Sequence, residues 1–221
     1  MRLLALLPFL LAACAPATPP SRDAILAIGD SVMAWNGDAG IPEAVGRTLG
    51  RPVVDKARSG AQLTNPNGAL AALGFDITRQ FEGGAWDWVI LTAGGNDLRG
   101  VCRTPRDAPT RDAMIGPDLT GEIPTLIARI RAAGAKVAFV GYYDGAEASP
   151  TGFTPCQPSF DIINARMTEF AARTPGVTFF DAGDVIDPSD RGLYADDLIH
   201  PSPRASAIIG QALARAMRAA E

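Results

Sequence analysis

The strongest constraint in this chain is an alternation. Short apolar runs of strand length take turns with longer stretches in which apolar residues recur three and four apart. The runs are "AILAIG" (24–29), "RPVVDKA" (51–57), "WDWVILTAG" (86–94), "AKVAFVGYY" (135–143) and "GVTFFDA" (176–182). The helical patterns are "IPEAVGRTLG" (41–50), closed by Gly50, and "GALAALGFDITRQF" (68–81), with Gly74 against it. They continue with "DLTGEIPTLIARIRAAG" (118–134) and "SFDIINARMTEFAART" (159–174), the latter with Ile162, Ile163, Met167 and Phe170 on one face. The last, "SPRASAIIGQALARAMRAAE" (202–221), opens on a Ser-Pro start signal. Strands this uniformly apolar are buried on both faces, which calls for a parallel sheet with helices on either side. Crossovers in such sheets are right-handed, and sites form outside the carboxyl ends of the strands. Chemistry is therefore to be sought just after each strand. No repeat and no boundary interrupts residues 23–221, which read as a single domain.

Residues 1–22 stand apart. Met1 and Arg2 precede "LLALLPFLLAA", which is short for a membrane span and holds Pro8. It ends in "LAAC", with small residues just before Cys14. This looks like a bacterial lipoprotein signal over 1–14, with Cys14 lipidated and a flexible tether, "APATPPSR", over 15–22. An ordinary secretory signal cleaved nearby, or an uncleaved anchor, is the alternative. Either way the expectation is an exported domain in the cell envelope or periplasm, held to a membrane if Cys14 carries lipid. The formal net charge is -4 and no basic block occurs, so nucleic acid is disfavoured as a partner. One histidine, three cysteines and no Cys-x-x-Cys pair leave almost no ligands for zinc or an iron–sulfur cluster, so no metal is expected. The 221 residues, 47% of them hydrophobic, suffice for one sizeable core, and the domain is expected to be a monomer.

The first run stops at Gly29-Asp30-Ser31. Ser31 would open whatever follows, where unpaired backbone N–H groups attract negative charge. That suits a serine passing through an anionic adduct, although the same tripeptide serves as a plain turn or cap. After the second run, Gly60 in "KARSGAQ" either lets a backbone N–H approach a ligand or is a simple loop glycine. After the third comes "TAGGNDLRG", in which the Asn96 amide can donate to an oxyanion without adding charge. The same segment lacks the Lys and Ser/Thr of a phosphate-binding loop. Asp97 reads as a turn-stabilising carboxylate. In "YADDLIHPS", His200 is the sole histidine and lies three residues after Asp197, a spacing that brings a carboxylate toward the imidazole and fixes its tautomer. Asp196 is an adjacent competitor that the spacing disfavours. Nucleophile, oxyanion donors, base and orienting carboxylate all fall at the strand ends of one sheet, the set that acyl transfer needs.

In this order the four blocks resemble the SGNH subgroup of GDSL-type esterases and lipases. They are Ser31 in "GDS", Gly60, Asn96 in "GGND", and Asp197 with His200 in "DLIH", spread over about residues 24–210. Val32 stands where the family's name motif has Leu. The resemblance implies a flavodoxin-like three-layer α/β/α sandwich with a five-stranded parallel sheet in the order 2-1-3-4-5. It implies Ser31 as nucleophile, with the Ser31 and Gly60 N–H groups and the Asn96 side chain holding the oxyanion. His200 would act as base and then acid, oriented by Asp197, in ester or thioester hydrolysis through an acyl-enzyme without a cofactor. The family's substrates make the partner a small-molecule, lipid or acetylated-glycan ester. The pocket walls are expected from residues 98–118 and 142–159. In the first, Arg99, Arg103, Arg106 and Arg111 either meet an anionic substrate or form a solvated loop with the intervening aspartates. Trp35 either lines an acyl pocket or packs beneath the site. A lipid-anchored binding or scaffold domain on the same fold is the rival reading; the complete Ser, Asn, Asp and His set argues against it. With strand order 2-1-3-4-5, the loops carrying Cys102 and Cys156 leave neighbouring strands at one edge. Export permits oxidation, so a Cys102–Cys156 disulfide is expected, two buried free cysteines being the alternative.

Overall fold

The computed structural model describes residues 23–148 and 150–221. The predicted signal, Cys14 and the tether lie outside the described residues. Five strands form: β1 (Ile25–Ile28), β2 (Val53–Asp55), β3 (Trp88–Leu91), β4 (Lys136–Gly141) and β5 (Val177–Asp181). They make one parallel sheet in the order β2-β1-β3-β4-β5. Ile25 pairs with Val53 on one side and Trp88 on the other, Trp88 with Lys136, and Val137 with Val177. The helices are α1 (Ser31–Ala34), α2 (Ile41–Leu49), α3 (Gly68–Leu70), α4 (Ile77–Gln80), α5 (Gly95–Leu98), α6 (Asp107–Met114), α7 (Glu122–Ala132), α8 (Gln157–Arg173) and α9 (Pro203–Ala219).

Side chains alternate across a strand, so each apolar run feeds two cores. Leu26, Ile28, Val89, Leu91, Val137 and Phe139 pack with Ile123, Ile127 and Ile130 of α7 and Phe160, Ile163 and Met167 of α8. Ile25, Ala27, Trp88, Ile90, Ala138 and Val140 pack with Ile41 and Val45 of α2 and Ile209, Leu213 and Met217 of α9. The sheet is thus covered on both faces, the three-layer sandwich that the resemblance implied.

Three sequence expectations need correction. Residues 68–81 are not one helix. Asn67 caps α3, a wide turn spans 71–75 with Gly74 at φ 90°, and Asp76 caps α4 afresh by accepting the Arg79 N–H at 3.2 Å. A positive φ cannot continue a right-handed helix. The helix expected from 118 begins at Glu122, because the Asp118 carboxylate takes the Thr120 N–H in a turn and Leu119 sits at φ 64°. Residues 98–118 are not only loop: α6 forms within them, with Pro109 in the first turn, where proline is tolerated. Cys102, after α5, and Cys156, in the short 3-10 turn before α8, form a disulfide with Cα atoms 5.0 Å apart.

The chain leaves β1 for β2 on one side and returns to β3 on the other. The crevice outside the carboxyl ends of β1 and β3 is where such a sheet places its ligand.

Candidate active site

A pocket opens at that crevice. Ser31 reaches it from the end of β1, Asn96 from beyond β3, Tyr142 and Tyr143 from beyond β4, and His200 from the loop before α9. Phe153, Phe160 and Ile199 give it apolar walls. The cavity volume is about 40 Å³.

The turn carrying Ser31 is tightly specified. Gly29 sits at φ 147°, and a Cβ there would lie 2.7 Å from the Thr92 carbonyl oxygen, so only glycine fits. The buried Gln80 amide clamps the same residue: it accepts the Gly29 N–H at 2.7 Å and donates to the Gly29 carbonyl at 3.0 Å and the Gly74 carbonyl at 2.8 Å. Asp30 then caps α1 by accepting the Val32 N–H at 3.0 Å, which makes Ser31 the first helical residue with an N–H that has no intrahelical partner. Burial pushes Asp30 above the usual carboxylate range, against the hydrogen bonds from Tyr142 and Val32. Ser31 Oγ makes no hydrogen bond among the described residues.

Asn96 and Asp97 act as a pair. Asn96 Nδ2 donates to the Ala61 carbonyl at 2.9 Å, and the two Asp97 carboxylate oxygens accept the Leu63 N–H at 3.1 and 3.0 Å. Asp97 therefore supports the neighbouring loop and not its own turn, and burial raises its pKa to about 6. Gly60 is exposed, just before the stapled segment, and its side of the loop does not line the pocket.

His200 Nδ1 lies 2.5 Å from Asp197 Oδ2, while Asp197 Oδ1 accepts the backbone N–H groups of Ile199 and His200 at 3.0 Å each. A carboxylate only accepts, so Nδ1 carries the proton and Nε2 is left as the basic nitrogen. Burial opposes ionisation of Asp197, but the hydrogen bonds from His200 and the two N–H groups outweigh it and hold the carboxyl below its ordinary value. Asp196 is exposed, with no side-chain hydrogen bond among the described residues. The indole of Trp35 stacks on the His200 ring, centroids 3.8 Å apart and planes 10° from parallel, and Trp35 is not among the pocket-lining residues. Asn36 Nδ2 donates to the Pro201 carbonyl at 2.8 Å and to Ser206 Oγ at 2.9 Å, tying the segment after Ser31 to the histidine loop.

Of the two expected walls, only 142–159 lines the pocket; 98–118 backs it through the disulfide. Arg111 is engaged by Asp107 at 3.9 Å and Asp112 at 3.4 Å, and Arg99 lies 5.6 Å from the Phe153 ring centroid. Gln80 and Asn36 were missed by sequence reasoning, and Tyr142 was expected only as the start of a pocket wall. Tyr142 carried a signal, since it ends a strand run; Gln80 and Asn36 carried none. Among the described residues no three His, Cys, Asp or Glu groups are placed to hold a metal ion, and no helix is long and apolar enough to cross a membrane.

A parallel sheet with serine, asparagine and an Asp–His pair at its switch point is the frame of a serine esterase-type hydrolase. The family model of the GDSL-like Lipase/Acylhydrolase family matches residues 27–208, and the chain belongs to that family. No curated protein matches the chain. Among solved structures, Est24, a carbohydrate acetylesterase from Sinorhizobium meliloti, is similar at 19% identity and a TM-score of 0.64, over 89% of this chain and 98% of that one. A Slackia heliotrinireducens protein with a provisional SGNH-hydrolase assignment is similar at 23% identity and a TM-score of 0.62, over 89% of this chain and 100% of that one. An aryl esterase from M. smegmatis is similar at 17% identity and a TM-score of 0.57, over 90% and 100%.

Proposed function

We propose that this chain hydrolyses short-chain carboxylic esters, acetyl esters foremost, through an acyl-enzyme on Ser31. The observation that carries the reading is the Asp197–His200 pair beside a pocket that Ser31, Asn96 and His200 share. His200 Nε2 takes the Ser31 proton as Oγ attacks the ester carbonyl. The oxyanion is met by the Ser31 N–H and the second N–H of the Asn96 amide; Gly60, off the pocket lining, is left out of this set. His200 then hands its proton to the leaving alkoxide, and the ester C–O bond breaks. Water, deprotonated by the same nitrogen, releases the acid and restores Ser31. Asp197 stabilises the imidazolium throughout.

Pocket size favours short acyl groups. The cavity is small, about 40 Å³, and closed by Phe153, Phe160 and Ile199, which leaves little room for a long acyl chain. The carbohydrate acetylesterase Est24 is a precedent for that chemistry on this fold. The leader-like N-terminus and the disulfide support an exported enzyme anchored through lipid on Cys14; mass spectrometry of the mature N-terminus tests this, and an unmodified N-terminus beyond residue 14 would refute it.

The test of activity is a panel of nitrophenyl esters of rising chain length together with an acetylated glycan. Acetate should turn over fastest. Ser31→Ala should lose several orders of magnitude in kcat while melting like wild type. Retention of more than about a tenth of the activity removes Ser31 from the mechanism. No turnover of any ester, with no labelling by a fluorophosphonate, favours the binding-domain alternative.

A further inference from the structure

We propose that Tyr142 is a positioning residue that couples the nucleophile turn to the oxyanion donor, a role that rests on the reading of Ser31 and Asn96 given above. Three neighbouring strand ends meet at its hydroxyl: β1 delivers Asp30, β3 delivers Gly95, and β4 delivers Tyr142. The hydroxyl oxygen accepts the Gly95 N–H at 2.9 Å and donates its own proton to Asp30 Oδ2 at 2.5 Å. An amide N–H only donates, so the hydroxyl oxygen accepts there and its own proton is left for the Asp30 carboxylate. Burial, and then the Asp30 carboxylate, push ionisation of Tyr142 well above its ordinary range, so the hydroxyl stays a donor. With its other oxygen Asp30 takes the Val32 N–H at 3.0 Å. Val32 follows Ser31, and Gly95 precedes Asn96. Each end of this chain of bonds is thus one residue from a group that meets the substrate.

The ring is held independently of its hydroxyl. It lies 4.8 Å from the Phe160 ring, centroid to centroid, in the pocket wall. Gly95 matches it in shape, since a Cβ there would sit 3.0 Å from Cζ and Oη of Tyr142. The close approach lets the hydroxyl reach the backbone. Oxyanion donors act only within a narrow range of distances, and a displacement of about 1 Å can cost about a hundredfold in rate. The nucleophile and Asn96 stand on separate strands. The Asp30–Tyr142–Gly95 link ties the two segments directly at the carboxyl edge, beside the sheet and the 58–61 loop that Gly29 and Asn96 also share.

Tyr142→Phe keeps the ring and removes the link. With nitrophenyl acetate, kcat should fall about tenfold to a hundredfold with KM within about twofold of wild type. In an Asn96→Ala background the same substitution should cost less than about threefold, because the donor it positions is gone. Unchanged kcat, a loss that appears in KM instead, or an undiminished loss in the Asn96→Ala background overturns the proposal; a lowered melting temperature with unchanged kcat does so too. If Tyr142→Phe does not fold, Asp30→Asn tests the same link by presenting an amide donor where the hydroxyl proton points. A comparable kcat loss in a variant that melts normally supports the link, and wild-type kcat overturns it. Failure of the esterase reading itself is separately visible: wild-type protein that neither hydrolyses any ester nor takes a fluorophosphonate label overturns that reading, and the proposal with it.

Discussion

His200 is oriented by two different kinds of contact. Asp197 fixes the Nδ1 proton, and the Trp35 indole lies flat on the ring. Stacking of this kind contributes about 0.5–1.5 kcal/mol beyond area burial. Trp35→Ala should lower kcat by about tenfold through a loosened imidazole, with KM for an acetate ester nearly unchanged and Trp35→Phe retaining most of the rate. Steady-state kinetics of the two variants checks this, and a rise in KM that grows with acyl length would return Trp35 to the pocket wall. The histidine and its carboxylate were legible because the chain has one histidine and the pair is three residues apart. Trp35 was legible as near the site but not as to its face, since a residue after a short helix has no periodicity to orient it. Tyr142 and Gln80 reach partners 112 and 51 positions away, distances over which a sequence carries no pattern.

The strands were read with little error because buried parallel strands are apolar throughout. The helices were read less well where capping overrode hydrophobic period. Asn67 and Asp76 each restart a turn inside 68–81, and α6 hides among arginines and prolines. The short α5 shows how an element carries a site. Asn96 bonds to the Ala61 carbonyl and Asp97 to the Leu63 N–H, so one turn fixes the loop that follows Gly60. Asp97 has a folded-state pKa of about 6, raised from 3.8 by burial. A raised carboxyl pKa means the folded state holds a proton that the unfolded chain releases between about pH 4 and pH 6. The contribution of Asp97 to stability is therefore greatest below about pH 4 and declines as pH rises through about 6. Asp97→Asn keeps an acceptor and does not titrate. The melting temperature of the variant minus that of wild type should increase between about pH 4 and pH 7; a difference that stays flat, or decreases, contradicts this.

At the scale of the molecule, the strand order brings together residues as distant as Ser31 and His200, and the disulfide fixes one side of the pocket they share. It joins residues 54 positions apart. In the chain-entropy model a loop of that size contributes about 4 kcal/mol. Replacing both Cys102 and Cys156 by Ser should remove an amount of that order from the unfolding free energy, measured by denaturant titration, and reductant should have no further effect on the variant. An unchanged titration midpoint would show that the folded sheet holds these loops without help. The bond also bears on the pocket. Cys156 lies three residues beyond Phe153, a pocket wall, and Cys102 anchors it to the loop after α5. In biosynthetic terms, the oxidation that forms this bond completes the backing of one side of the pocket as well as adding stability. A newly made, reduced chain lacks the covalent tie between the Phe153 segment and the loop after α5, and gains it only on oxidation.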